Sequence, residues 1–221
     1  MDIAKNNVSA KSQVSKENYV RGTGSEGLKV LFIGNSITRH EPKPEIGWNN
    51  DWGMAASKEE NDYVHVAVNL LEKKYGKVNY LLANCGEWEL SYFNADILTN
   101  WKKARDFSAD VVVIRIGENM YNARAEFDNH PIAPHFANMV EYFCSNSKAK
   151  VVMTDLFWRI DVLDNAIREV AKSKGYTLVS IGDLGDDSKN KAIGEYWHEG
   201  VALHPNDRGM RLIAERIVDK I

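Results

Sequence analysis

Residues 29–40 read KVLFIGNSITRH, and the fold turns on how this stretch is understood. Lys29 to Ile33 forms a largely apolar, β-branched run of the kind a buried strand uses. The run stops at Gly34; Asn35 and Ser36 follow, then Thr38. Taken alone, the ending reads as a turn or a helix N-cap, because Gly, Asn and Ser are ordinary turn residues and serine caps helices well. The other reading is a strand that delivers a nucleophile to the rim of a sheet, with a helix to follow.

Working outward, further short runs of the same kind recur at Val78–Ala83, Val111–Arg115, Lys150–Thr154 and Thr177–Ile181. Amphipathic stretches separate them at about 55–75, 94–106, 133–147 and 161–174. A last helix is expected over about 207–220, with Leu212, Ile213, Ile217 and Val218 on its apolar stripe and Asp207 as its cap. Alternation of this kind predicts an α/β fold: a central, mostly parallel sheet of about five strands with helices on both faces. Residues 1–27 are polar, without clear periodicity, and end in RGTGSEG; they read as an arm ahead of a single domain at 28–221.

Composition narrows the function. The 221 residues carry a net charge of −3 with no basic block, which argues against nucleic acid as a partner. No apolar run approaches the length of a membrane span, so no membrane partner is expected. The N-terminus lacks the apolar core of a signal peptide, so the chain as written reads as cytoplasmic; a leader removed beforehand, in a secreted or periplasmic protein, would leave the same sequence. The two cysteines, Cys85 and Cys144, make no disulfide framework and read as buried small apolar residues. The oligomeric state is left open.

In sheets of this class ligands bind at the carboxyl ends of the strands. The loops there read GNSITRH, NCGEWELS, IGENMYN and DLFWR, and the last strand leads into EYWHEGVALHPNDRGM. A serine needs a base to take its proton, most often a histidine held by a third group. Of six histidines, His204 is the best candidate, since it sits in a loop before Pro205 and the last helix. His130 and His135 bracket a proline-containing loop but have no Cys or carboxylate at ligand spacing, so no metal is expected. Developing negative charge calls for preset N–H donors. Gly86 offers a backbone N–H and Asn119 a side-chain amide. Each has an ordinary turn reading, but all four fall on strand-exit loops in the order Ser, Gly, Asn, His.

In that order the chain resembles the SGNH hydrolases, also called GDSL-type esterases and lipases. Gly34-Asn35-Ser36 matches the first block, Gly86 the second, Gly117-Glu118-Asn119-Met120 the third without its final Asp, and His204-Pro205 the last. The likeness spans about 28–220. It implies a three-layer α/β/α sandwich, flavodoxin-like in outline. It implies an ester hydrolase with Ser36 as nucleophile and His204 as base. It also implies an oxyanion hole built from the N–H groups of Ser36 and Gly86 and the amide of Asn119, and no cofactor.

The sequence departs from the family at the acid, which should lie three residues before the histidine, where Val201 stands. Glu199 is the expected displaced acid, ahead of a Ser–His dyad in which a backbone carbonyl holds His204. The insert HEPKPEIGWNNDWGMAAS follows the nucleophile block. Trp48 and Trp52 within it, with Trp88, are expected at the substrate site, because aromatic faces beside polar groups suit sugar rings. Arg115 is expected to meet a substrate carboxylate or pair with an internal acid. The substrate expected is a short acyl ester, such as acetyl on a carbohydrate, or a similar small ester. The alternative is a catalytically silent, carbohydrate-binding relative with the same fold.

Overall fold

The computed structural model describes residues 26–221 and the backbone of Tyr19–Arg21. The remainder of the expected N-terminal arm lies outside the described residues. Six strands form one sheet: β1 (Tyr19–Arg21), β2 (Leu28–Gly34), β3 (Val78–Asn84), β4 (Val111–Arg115), β5 (Lys150–Thr154) and β6 (Thr177–Val179), in the order β1-β3-β2-β4-β5-β6. The five strands expected from the sequence are parallel, and β1 adds an antiparallel edge beside β3.

The two faces follow from the period of two along a strand. In β2, Leu31 and Ile33 join one core with the helices Ile132–Cys144 and Asp161–Lys174. Val30 and Phe32 join the other, against the helices Tyr63–Tyr75 and Asp207–Val218. In β4, Val112 and Ile114 face the first core, and Val111 and Val113 the second. Helices therefore cover both faces, giving the three-layer α/β/α sandwich. Fully burying such a side chain stabilises the fold by about 1.5–3 kcal/mol.

Register places the working ends together. Gly34, at the end of β2, pairs with Asn84 at the end of β3 and Arg115 at the end of β4. The chain runs from β2 to one neighbour and then crosses to the other, so the carboxyl end of β2 is the point where strand order reverses. Such switch points form the crevice in open α/β sheets.

Several expected boundaries shift. The stretch after Ser36 is a tight turn followed by an irregular loop, and the helix expected over about 55–75 starts only at Tyr63, capped by Asp62 accepting from the His65 N–H. The insert needs this length to wrap Trp48 into a small core of its own with Ile46, Met54, Ala55 and Val201. Residues 95–106 divide into a 3-10 helix, Ala95–Trp101, and a short α-helix, Lys102–Asp106. The last helix is capped by Asn206, which accepts from the Gly209 N–H. Asp207 instead accepts from the N–H and hydroxyl of Ser57, pinning the insert to that helix. Cys85 is buried as expected, whereas Cys144 is only half-buried.

Candidate active site

The glycine that ends β2 has a steric reason. A Cβ on Gly34 would stand 1.7 Å from Thr38 Oγ1 and 2.8 Å from the Arg115 carbonyl oxygen. Only glycine lets the chain turn against its neighbour there. The turn closes when the N–H groups of Thr38 and Arg39 both donate to the Asn35 carbonyl, at 2.9 and 3.0 Å. Ser36 sits at its crest.

Ser36 Oγ lies 2.8 Å from His204 Nε2. The loop and short helix Glu199–Ala202 bring the histidine there from 168 residues away in sequence. His204 Nδ1 lies 2.6 Å from the Gly200 carbonyl oxygen. A carbonyl only accepts, so Nδ1 carries the ring proton and Nε2 presents its lone pair to the serine. Burial pushes the His204 ring down to about 3; the Gly200 carbonyl opposes this, and His40, Arg115 and His198 reinforce it. The imidazole is therefore neutral around neutral pH, the state a general base requires. Trp158 packs edge-on against the ring, with centroids 4.9 Å apart, and its indole N–H donates to the Leu203 carbonyl at 3.2 Å.

Glu199 is not where an orienting acid has to be. It is exposed on the first turn of its short helix, and the nitrogen it was expected to hold is taken by Gly200. Val201, at the family's acid position, is fully buried in the Trp48 core.

The expected oxyanion donors divide. Ser36 and Asn119 are buried at the end of the sheet, with exposures of 3% and 2%. The Gly86 N–H is committed elsewhere: it donates to Asn84 Oδ1 at 2.8 Å. Asn84, the last residue of β3, thereby closes the turn into the helix Gly86–Leu90, the usual service of an Asx side chain. One amide N–H of Asn119 donates to Glu89 Oε2 at 2.7 Å.

Burial takes Trp48 and Trp88, two of the expected substrate residues, into the core. Trp48 is fully buried and its indole donates to the His40 carbonyl. Trp88 is buried edge-on against Phe136. Trp52 is half-buried, packs on Trp48, and donates to the Ala56 carbonyl. Their area holds the insert and the helix faces together. Of Arg115's two expected partners, the internal acid holds: the guanidinium is buried and its Nη2 bonds Glu118 Oε2 and, at 2.9 Å, Asn35 Oδ1.

Those contacts expose residues the sequence reading passed over. Glu89 and Glu118 are buried at 0% and 1%. With Arg115 they put two carboxylates and one guanidinium beneath the nucleophile turn. Burial and the nearby Glu118 push the Glu89 carboxyl up to about 7. A carboxylate set inside apolar helical and strand-end segments, GEWEL and IGENM, is the only signal the sequence carried for them. His40, four residues past the serine, is fully buried, and burial pushes its ring down to about 4.

Comparison with known proteins agrees with this architecture. A lipase/acylhydrolase from Enterococcus faecalis superposes with a TM-score of 0.53 at 16% identity, covering 88% of this chain and 95% of that one. At that identity the likeness speaks for the fold. The tail fiber protein gp63.1 from an E. coli phage is similar at a TM-score of 0.45 and 14% identity, over 87% of this chain and 26% of that one. No curated protein matches the chain. Residues 32–212 match the GDSL-like Lipase/Acylhydrolase family, from the strand that carries Ser36 to the helix beyond His204. With that match across most of its length, the chain belongs to the GDSL-like lipase/acylhydrolase family, whose members are hydrolases acting on esters.

Proposed function

We propose that the protein is a serine ester hydrolase that removes a short acyl group, acetyl in the first instance, from a carbohydrate or similar small ester. The observation that carries this reading is the 2.8 Å contact between Ser36 Oγ and a His204 ring whose other nitrogen is held by the Gly200 carbonyl. Ser36 Oγ attacks the ester carbonyl carbon as His204 Nε2 takes the hydroxyl proton. The tetrahedral intermediate places its oxyanion on the Ser36 N–H and the Asn119 amide. Collapse expels the alcohol, which takes the proton back from His204, and leaves an acyl-serine. Water, deprotonated by the same nitrogen, attacks the acyl-serine and releases the acid. The orienting group is a neutral carbonyl, so the imidazolium formed in each step lacks a carboxylate partner. The reading is therefore a dyad, slower than a triad of the same geometry.

Deep placement of both groups, at 3% and 1% exposure, favours a short acyl chain. The saccharide alcohol is supported by half-buried Trp158 against His204 and by Trp197, 74% exposed, which sits against the backbone of Gly47. The test is hydrolysis of p-nitrophenyl acetate, p-nitrophenyl palmitate and acetylated xylooligosaccharides by the wild type and Ser36→Ala. Acetyl release by the wild type alone supports the reading. Preference for palmitate overturns the short-acyl part. Equal rates in both proteins overturn the esterase and favour a silent carbohydrate-binding relative.

A further inference from the structure

One buried carboxylate, on the helix Gly86–Leu90, joins two separate loops of the site. Glu89 Oε1 accepts from the backbone N–H groups of Gly117 at 2.8 Å and Asn119 at 3.0 Å, and from the Asn35 amide at 3.1 Å. Its Oε2 accepts from the Asn119 amide at 2.7 Å. Asn35 is the residue before the nucleophile, Asn119 is the oxyanion side chain of the proposed mechanism, and Glu89 comes from the helix that Gly86 begins. The loop it grips is itself constrained. Gly117 has φ +143°, and a Cβ there would stand 2.9 Å from Leu156 Cδ2. Only glycine adopts that conformation without strain, and Glu89 accepts its N–H.

We propose that Glu89 is the positioning residue of this site, its ionised carboxylate clamping the Asn119 amide and the Asn35 turn so that the oxyanion donors face Ser36. The inference rests on the roles of Ser36 and Asn119 given above. The amide of Asn119 is a weak donor unless its orientation is set before the charge develops, because preorganisation is what makes such donors effective. Four N–H groups converge on Glu89, an all-donor surrounding that suits the acceptor-only, ionised carboxylate. Protonation brings a fifth hydrogen into this all-donor surrounding and removes the charge that strengthens the four contacts.

The charged and titratable groups around it are Glu118, which shares the Asn35 amide at 2.8 Å, Arg115 bonded to Glu118, and the buried Cys85 thiol, which is pushed well up by burial. Burial, reinforced by Glu118, pushes the Glu89 carboxyl up to about 7. His204, held near 3, titrates far below. The clamp thus predicts an activity limb close to neutral pH, with kcat rising as the proton leaves Glu89.

The experiment is kcat and KM for p-nitrophenyl acetate from about pH 5 to about pH 9 in the wild type and Glu89→Gln, with Ser36→Ala as background. The expected result is a kcat loss of roughly 10²–10³-fold in Glu89→Gln, KM within about twofold, and disappearance of the neutral limb. A variant that keeps wild-type kcat and the limb overturns the proposal. If the wild type hydrolyses no ester, the proposed function fails, and ¹⁵N–¹H spectra of the wild type then decide the clamp. The same spectra decide it if the variant does not fold. The Asn119 side-chain amide and the Gly117 and Asn119 backbone amides should shift together with a midpoint near neutrality; amides that do not titrate there overturn the clamp.

Discussion

His204 Nδ1 donates to the carbonyl oxygen of Gly200, four residues earlier in the chain, across 2.6 Å. The family's carboxylate is thus replaced by a group that fixes the ring's tautomer and orientation without supplying charge. A carbonyl is close enough because the chain makes one helical turn, Glu199–Ala202, just before the histidine, which brings Gly200 back beside the ring.

Glu199→Gln should therefore leave kcat/KM for p-nitrophenyl acetate within about twofold of the wild type. Removing a true orienting carboxylate costs about 10⁴-fold in a serine protease triad. Steady-state kinetics on the two proteins separates these outcomes, and a loss beyond about 100-fold would return Glu199 to the site.

Val201→Asp puts a carboxylate at the family's acid position, and it should not restore a triad. Val201 is fully buried among Ile46, Trp48, Met54, Ala55 and Ala192, so the new charge enters an apolar core without a partner. The expected cost is about 3 kcal/mol or more of folding stability, with no gain in rate. Urea unfolding measures the first and p-nitrophenyl acetate turnover the second.

Trp48→Ala tests whether this tryptophan serves the substrate or the core. Full burial and an indole bonded to the His40 carbonyl point to the core. Stability should fall by about 3–5 kcal/mol, while KM for p-nitrophenyl acetate in the folded fraction stays within about twofold. A large rise in KM with unchanged stability would place Trp48 at the substrate instead.

Stability should fall on acidification. A histidine in the unfolded chain titrates near 6.5, whereas burial holds His40 at about 4 in the folded protein. Between those values the unfolded chain binds a proton that the folded chain does not. His40 thus contributes stability above the window that is lost as pH falls through it, at up to about 1.4 kcal/mol per pH unit. His204 contributes in the same direction over a window reaching about 3. Glu89 acts oppositely, since its raised carboxyl lends stability that is lost as pH rises through about 7. Replacing His40 by Gln should remove its part of the slope, as read from urea unfolding at a series of pH values; an unchanged slope would mean that His40 is protonated in the fold.

The strands and most helices were legible in the sequence because their signals are local. β-Branched runs such as Val111–Arg115 and the apolar stripe of the last helix are properties of neighbouring residues, and burial on alternate sides follows from the period of two. The boundary that failed, the helix expected from about 55, failed because the insert folds around Trp48 through contacts with Val201 and Tyr196, far along the chain. Trp48 and Trp88, expected at the substrate, lie in the core for a related reason. An aromatic side chain reads the same in sequence whether it faces a ligand or a core, and only burial separates the two.

By itself the sequence determined the sheet, its helical layers, and the pairing of Ser36 with His204 as the candidate reactive groups. Those conclusions rest on residue type and order. Only the tertiary structure decided that Gly200 rather than Glu199 holds the histidine, that Asn84 occupies the Gly86 N–H, and that Arg115 is bound to Glu118 beneath the site. It also brought Glu89 within reach of Asn35 and Asn119. Hydrogen bonds form at about 3 Å, and which groups reach that distance is settled by register and packing, not by spacing along the chain.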